Sequence, residues 1–160
     1  MRKLVSLTLF LTMPLLVAAQ QERPKAEIFG GYQYANGDGT SLNGWNAAVT
    51  GSITRSFGIT AEFTGVYKGG HVYSYMFGPA FSARGKHFTP FIHALFGGAT
   101  GGGPAGGSTA FSMAFGGGVD ANIGNHFAIR LAQADWWLLR SNGVFDKNNG
   151  RVSSGVVIRF

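Results

Sequence analysis

The stretch WNAAVTGSITRSFGITAEFTGVY, Trp45 to Tyr67, alternates twice. In its first half Trp45, Ala47, Val49 and Ile53 share one parity and Asn46, Thr50, Ser52 and Thr54 the other. In its second half Phe57, Ile59, Phe63 and Tyr67 oppose Thr60, Glu62 and Thr64. A period of two marks a strand with unlike faces, and Arg55-Ser56 leaves room only for a tight turn between the runs. Periodicity alone does not say which face is buried, because a soluble sandwich would show the same alternation with the apolar set inside. The character of the polar face decides. It is made of small Ser, Thr, Gly and Ala with one charge, Glu62, whereas a face turned to water usually carries more Lys and Glu. The apolar set is therefore expected to face lipid and the polar set the interior.

Working outward from this hairpin, alternating runs recur between turn signals. They predict strands at Ala26–Tyr34, Trp45–Thr54, Phe57–Tyr67, Val72–Ala83, Phe88–Ala99, Ala110–Asn122, Phe127–Leu139 and Val152–Phe160. Tyr73, Tyr75, Phe77 and Phe81 oppose Ser74 and Ser82 in the fourth; Met113, Phe115 and Val119 oppose Ser112, Asp120 and Asn122 in the sixth. Eight is even and is the smallest size of bacterial outer-membrane barrel. The connections "ANGDGTSLN", "TGGGPAGGS" and "RSNGVFDKNNG" read as long loops, and "RS", "RGKH" and "IGNH" as tight turns. Such barrels have short periplasmic turns and longer external loops. Both termini are then expected on the periplasmic side, with Phe160 in the interfacial aromatic girdle.

The first residues are set apart from this pattern. MRKLVSLTLFLTMPLLVAAQ opens with Arg2 and Lys3, runs uncharged from Leu4 to Val17, and ends in small residues. This is the composition of a cleaved secretory signal peptide, residues 1–19, with Gln20 starting the mature barrel domain, 20–160. An uncleaved anchor fits less well, since the run is short for a bilayer span. About 140 residues remain, enough for one domain. There is no Cys in the chain, so neither disulfides nor an acyl anchor on cysteine is available to an exported protein of this sequence. Without Arg2 and Lys3, eleven of the thirteen Lys and Arg stand against seven Asp and Glu. The excess is scattered, and nucleic-acid binding is not expected. Twenty-six Gly and fourteen Phe with few charges do not compose a disordered chain. After the signal no apolar run reaches the roughly 20 residues of a membrane helix, which leaves a closed barrel as the way to cross a bilayer.

Two places depart from strict alternation. Pro79 falls inside the fourth strand, where it is expected to sit at a bulge near the periplasmic end. Arg130 and Asp135 are five apart in the seventh, so a bulge around Ala132–Gln133 is expected to return Asp135 to the lumen. With it, the inward parity collects Glu27, Glu62, Asp120, Arg130, Asp135 and Arg159. Buried charges need partners, so these predict a lumen network of carboxylate–guanidinium pairs, with Arg130 bound to Glu62, Asp120 or Asp135. The network reads first as a plug, because eight strands leave an interior just wide enough for side chains. The alternative is a gate whose pairs exchange partners.

AEIFGGYQY, YSYMFGPAFS, TPFIHALFGG, AFGGGVDANIG, FAIRLAQADWWLL and the closing GVVIRF resemble the small outer-membrane β-barrel family that includes the OmpA transmembrane domain and the OmpX-like proteins. The resemblance covers essentially the whole mature chain and implies an all-β fold, a closed eight-stranded antiparallel up-and-down transmembrane β-barrel, in the outer membrane of a diderm bacterium. It also implies that Val156, Ile158 and Phe160 form the signal read by the barrel-assembly machinery. The chain stops at the last strand, so the peptidoglycan-binding role of full-length OmpA is not expected.

No motif points to catalysis, a cofactor or a metal. Gly101-x-Gly103-x-x-Gly106 has dinucleotide spacing, but that fingerprint works only where it opens a helix, and Pro104 and a strand follow. His71, His87, His93 and His126 lack metal-ligand spacing. His93 is expected to face inward as a hydrogen-bonded interior group. Ser74 and Ser112 are expected inside, so no His and Ser share a lipid-facing patch of the kind a lipid-modifying barrel would use. The expected function is a monomeric structural or surface-interaction barrel, contacting outer-membrane lipid, with the external partner unnamed. The alternatives are a small gated channel and a soluble, exported, lipocalin-like binder with an apolar lumen.

Overall fold

The structure, a computed structural model, describes residues 24–37, 40–68, 70–103, 106–141 and 144–160. The expected signal peptide, residues 1–19, and Gln20 lie outside the described residues. The strands are β1 (Ala26–Gly37), β2 (Thr40–Ser52), β3 (Phe57–Tyr67), β4 (His71–Ser82), β5 (Phe88–Gly103), β6 (Gly106–Asn122), β7 (Phe127–Ser141) and β8 (Val144–Arg159). Each pairs antiparallel with the next in chain order, and β8 pairs with β1 to close the barrel. Closure satisfies the backbone of both outer strands, which would otherwise leave unpaired edges. The chain continues past β8 in the same ladder: Phe160 donates its N–H to Ala26 at 2.9 Å and accepts from Lys25 N–H at 2.5 Å.

Alternation sorts the side chains into two sets. Phe77 and Ile92 are each 64% exposed on the outer wall, while Glu62 and Asp120 are 1% exposed inside it. The hairpin of β2 and β3 places its faces in this way, with Trp45, Val49, Ile59, Phe63 and Tyr67 outward and Asn46, Thr60, Glu62 and Thr64 buried. Toward the end opposite the termini an apolar cluster fills much of the interior, with Ala35, Val66, Met76, Leu95, Ala99, Ala114 and Trp137 packed together and the buried polar Ser74 and Asn149 beside them. A smaller cluster of Phe29, Ala48, Ala128 and Val157 lies inside the termini end.

Several expectations are corrected. The stretches read as long loops are mostly strand: β1 and β2 pair as far as Gly37–Thr40, β5 and β6 as far as Gly103–Gly106, and β7 and β8 as far as Ser141–Val144. Gly, Asn, Ser and Thr without hydrophobic alternation look like loop, yet their N–H and C=O groups pair in a ladder as well as any others. The turns at the termini end, 53–56, 83–87 and 123–126, are thus no shorter than the gaps at the far end. The wall is also uneven, from 11 residues in β3 to 17 in β6. Pro79 makes no bulge. Phe77–Phe96 and Ala80–His93 lie on one register, so the proline interrupts the ladder to β5 without adding a residue, while Ile59–Pro79 still pair on the other side. The bulge in β7 exists at Leu131–Ala132: Arg130 faces Gly155 and Gln133 faces Ser153, so two residues stand against Ser154. Ser154 Oγ donates to Arg130 O at 2.9 Å there.

At the closing seam Gly31 faces Gly155 across β1 and β8. A Cβ on Gly31 would stand 2.2 Å from Ser154 O, whereas one on the adjacent, outward Gly30 would meet nothing within 4 Å. Gly31→Ala should therefore destabilise the barrel by about 1–3 kcal/mol through forced backbone shifts, and Gly30→Ala should stay within about 0.5 kcal/mol of the parent. Urea unfolding in detergent micelles measures both; equal costs would contradict the close approach at the seam.

Candidate functional site

The side chains with chemical capacity converge inside the barrel, and β7 is the element that brings them together. The bulge sends Leu131 and Ala132 both outward, so Arg130 and Gln133, three apart, both point in, and Asp135 follows on the same side. Arg130 donates from Nε to Asp120 Oδ1 at 2.8 Å and from Nη2 to Asp120 Oδ2 at 3.3 Å, the two-pronged arrangement that suits a planar guanidinium. Its faces are covered by the rings of Phe29 and Phe91, at 4.2 and 4.1 Å, where the cation meets the negative face of each ring. Its Nη1 donates to Gln133 Oε1 at 2.7 Å.

Gln133 links this pair to a deeper one. Its Nε2 donates to Glu62 Oε2 at 3.1 Å and Asp135 Oδ2 at 2.9 Å. The same two carboxylates share Arg151, which is bound to Asp135 Oδ2 at 2.9 Å from Nε and to Glu62 Oε1 from Nη2. His93 Nε2 donates to Asp135 Oδ1 at 2.8 Å, and Asn46 Nδ2 to Glu62 Oε2 at 3.2 Å. Above this layer Trp137 Nε1 donates to Ser112 Oγ at 2.8 Å and the apolar cluster begins. Toward the termini Arg159 joins Asp120 at 3.3 Å and Glu27 at 2.7 Å, and Arg84 joins Glu27 at 2.6 Å. Among the described residues, four carboxylates thus meet four guanidinium groups. A cavity of about 30 Å³, bordered by Phe29, Thr60, Glu62, His93, Asp120 and Arg130, remains between the layers, space for roughly two water molecules.

All six residues expected in the network, Glu27, Glu62, Asp120, Arg130, Asp135 and Arg159, have their side chains in it. Arg130 contacts Asp120 directly and reaches Glu62 and Asp135 through Gln133. Arg151 and Arg84 were missing from that expectation. Arg151 was legible, because it shares the parity of Arg159 in the last strand; Arg84 lies in a turn, where no periodicity marks it. Val156, Ile158 and Phe160 lie on the outer wall, exposed. Among the described residues no group of three or more His, Cys, Asp or Glu is placed to hold a metal.

No protein-family model matches the sequence, and no curated protein sequence matches it. Solved structures do match. Ail, the attachment invasion locus protein of Yersinia pestis, aligns at 19% identity and a TM-score of 0.55, over 87% of this chain and 100% of that one. Neisserial surface protein A aligns at 14% and 0.63, over 84% and 96%, and the N-terminal β-barrel domain of Pseudomonas aeruginosa OprF at 11% and 0.65, over 87% and 100%. The chain has the fold of the small outer-membrane barrels. At these identities the likeness extends to the wall of the barrel, and what fills the lumen is read from this chain's own side chains.

Within that fold the pairs are unequal. Arg130→Met leaves Asp120 with Arg159, so it should cost about 1–3 kcal/mol. Arg151→Met takes the guanidinium from both Glu62 and Asp135 and should cost about 3–5 kcal/mol, part of which a second change, Asp135→Asn, should restore. A double-mutant cycle by urea unfolding in micelles decides it; additive costs for Arg151 and Asp135 would mean that they do not interact.

Proposed function

We propose that this protein is an integral outer-membrane barrel with a structural or surface-interaction role, its lumen plugged by its own side chains. The observation that carries the reading is inverted polarity. Among the described residues twenty-seven large hydrophobic side chains are exposed, while the eight paired Asp, Glu and Arg side chains are buried or half-buried inside. A soluble lipocalin-like binder would need the reverse. The height agrees too: the 11 residues from Phe57 to Tyr67 climb about 25 Å at ~3.3 Å per residue and the usual tilt of ~40°, the height of the apolar band on such barrels. Tyr32, Tyr34, Trp45, Tyr67 and Tyr73 line its far end along β1–β4 and Phe57, Phe81, Phe88, Phe127 and Phe160 its near end, as interfacial aromatic girdles do. In this orientation the termini face the periplasm and the hairpins the exterior, the protein is a monomer, and Phe160 is the last residue of the assembly signal.

Plug is favoured over gate because the charges balance and an apolar cluster centred on Trp137 stands in series with them. An ion would have to break paired charges and then pass the packed Val66, Met76, Leu95 and Trp137 side chains, and each step is costly. We assign no catalytic role: His93 and Asp135 lie deep in the lumen, at 3% and 0% side-chain exposure, with Arg151 bound to Asp135 and a cavity of only about 30 Å³ beside His93. The names of two structural neighbours, an attachment protein and a surface protein, support contact with something outside the cell.

Fractionation with heat-modifiable gel mobility tests the membrane assignment, and planar-bilayer recording tests the plug. The expected result is an outer-membrane species with no resolved unitary conductance; a periplasmic soluble species would overturn the first claim and regular channel steps the second. The wall itself is tested by substitution. Phe115→Arg, on the outer wall, should cost about 2–4 kcal/mol in a bilayer, and Thr60→Ser, inside, should cost about 1 kcal/mol or less. Equal costs in refolding titrations would contradict the assigned faces.

A further inference from the structure

The end of the barrel that carries both termini opens into a pocket of about 610 Å³ formed by the turns 83–87 and 123–126 with the end of β8. Its walls include Arg84, Lys86, His87, His126 and Arg159 and no Asp or Glu. The carboxylates nearest to it are already engaged. Glu27 accepts from Arg84 and Arg159, and Asp120 accepts from Arg130 and Arg159. Three guanidinium groups therefore share two side-chain carboxylates, and with Lys86 added this end of the barrel stays positive even against the carboxylate of Phe160, which also borders the pocket.

The groups above that floor are free to act on a ligand. Lys86 and His87 are exposed, and neither side chain has a hydrogen-bond or ion-pair partner among the described residues. His126 uses Nδ1 on Arg159 O at 3.1 Å, which fixes the ring and leaves Nε2 without a protein partner there. The floor, by contrast, is held rigid: Arg159 Nη1 donates to Asn122 Oδ1 at 2.5 Å, Asn122 Nδ2 to Gly85 O at 2.8 Å, and Arg84 Nε to Arg55 O at 3.1 Å. A fixed cationic floor below unengaged donors, in a volume typical of small-molecule sites, attracts negative charge and has hydrogen bonds to give it.

We propose that this mouth is an oxyanion-binding site, taking the phosphate group of a ligand that approaches from the side of the termini. Only the compartment rests on the membrane reading above; the site needs nothing but the folded barrel. A phosphate of this kind is carried by soluble phosphate esters and by phospholipid headgroups alike, and the experiment separates them.

Inorganic pyrophosphate is titrated, at constant ionic strength, into the protein in zwitterionic micelles, and amide and imidazole resonances are followed by NMR. The expected result is a saturable shift confined to residues 84–87 and 123–126 and the rings of His87 and His126, with a millimolar or tighter dissociation constant. Lys86→Gln with His87→Gln, both exposed turn positions, should weaken binding at least tenfold while gel mobility shows an intact barrel. No saturable shift, equal shifts at Lys68 at the opposite end, or unchanged binding by the folded double variant would each overturn the proposal. In nanodiscs, the same shifts on replacing phosphatidylcholine by phosphatidylglycerol, reversed by pyrophosphate, would support the site and name the lipid headgroup as its source. Shifts with pyrophosphate alone would support it with a soluble source.

Discussion

A carboxylate enclosed by a closed sheet must find a cation inside the same sheet. Four such carboxylates, Glu27, Glu62, Asp120 and Asp135, set the interior of this barrel, and much of its irregularity serves them. The β7 bulge at Leu131–Ala132 is the clearest case. With regular pairing, Arg130 and Asp135 would lie on opposite faces; the extra residue puts both inside and sets Gln133 between them as an adaptor that accepts from one and donates to the other. Opposite Asp135, β6 supplies Gly116, where a Cβ would lie 2.1 Å from Asp135 Oδ1. The missing side chain is the room in which the Asp135 carboxylate sits.

The network in turn explains the layering of the lumen. Charged groups gather from the middle of the barrel to the termini end, and the far half is filled mainly by Val66, Met76, Leu95 and Trp137 with the uncharged Ser74 and Asn149 beside them. Trp137 joins the two regimes, since its indole N–H bonds Ser112 while its ring lies 5.8 Å from the Arg151 guanidinium. Apolar filling of this kind excludes water from one side of the Arg151 pairs, which strengthens them and raises the cost of breaking them. A wall shared with many barrels carries no function by itself; the plug reading depends on the side chains that fill this one.

The architecture was legible because period-two alternation survives wherever one face meets a uniform apolar surroundings. Trp45 to Tyr67 displays it at every large residue but Val66, which turns inward, and the strand count followed. Strand length was not legible. Beyond Tyr34, Ala99 and Leu139 the residues are largely Gly, Asn, Ser and Thr, which pair in a ladder through their backbones, and the few apolar ones among them, such as Leu42, Val144 and Phe145, make no alternating run. The network was half legible: parity found Glu62, Asp120 and Arg159, and the five-residue spacing of Arg130 and Asp135 required the bulge. Parity also held Arg151, but the NNG before it read as loop and the strand was begun at Val152. Arg84 escaped because a turn residue has no face until the chain around it is folded. Pro79 was legible as an irregularity and not as its kind, since a break in hydrogen bonding and a shift in register look alike in sequence.

The unequal height of the wall gives the far end a direction. All five tyrosines of the chain lie on β1, β3 and β4, and there the outer girdle is knit together: Trp45 Nε1 donates to Tyr67 OH at 3.2 Å and Tyr67 OH to Tyr73 OH at 3.3 Å, the two tyrosine rings meeting edge to face at 5.9 Å. Tyr67 ends β3 and Tyr73 lies two residues into β4, so on this side the polar tips of the girdle coincide with the end of the sheet. On the other side β5 and β6 stay paired to Gly103–Gly106, well beyond Phe96 and Phe115, which meet edge to face at 5.6 Å lower on the wall. With the girdle held at the level of the lipid headgroups, the short side ends in the interface and the β5–β6 and β7–β8 hairpins rise above it. Any contact of the proposed kind with the exterior therefore falls to those two hairpins, whose outer reaches are held by backbone pairing and carry none of the hydrophobic alternation that fixes the wall below.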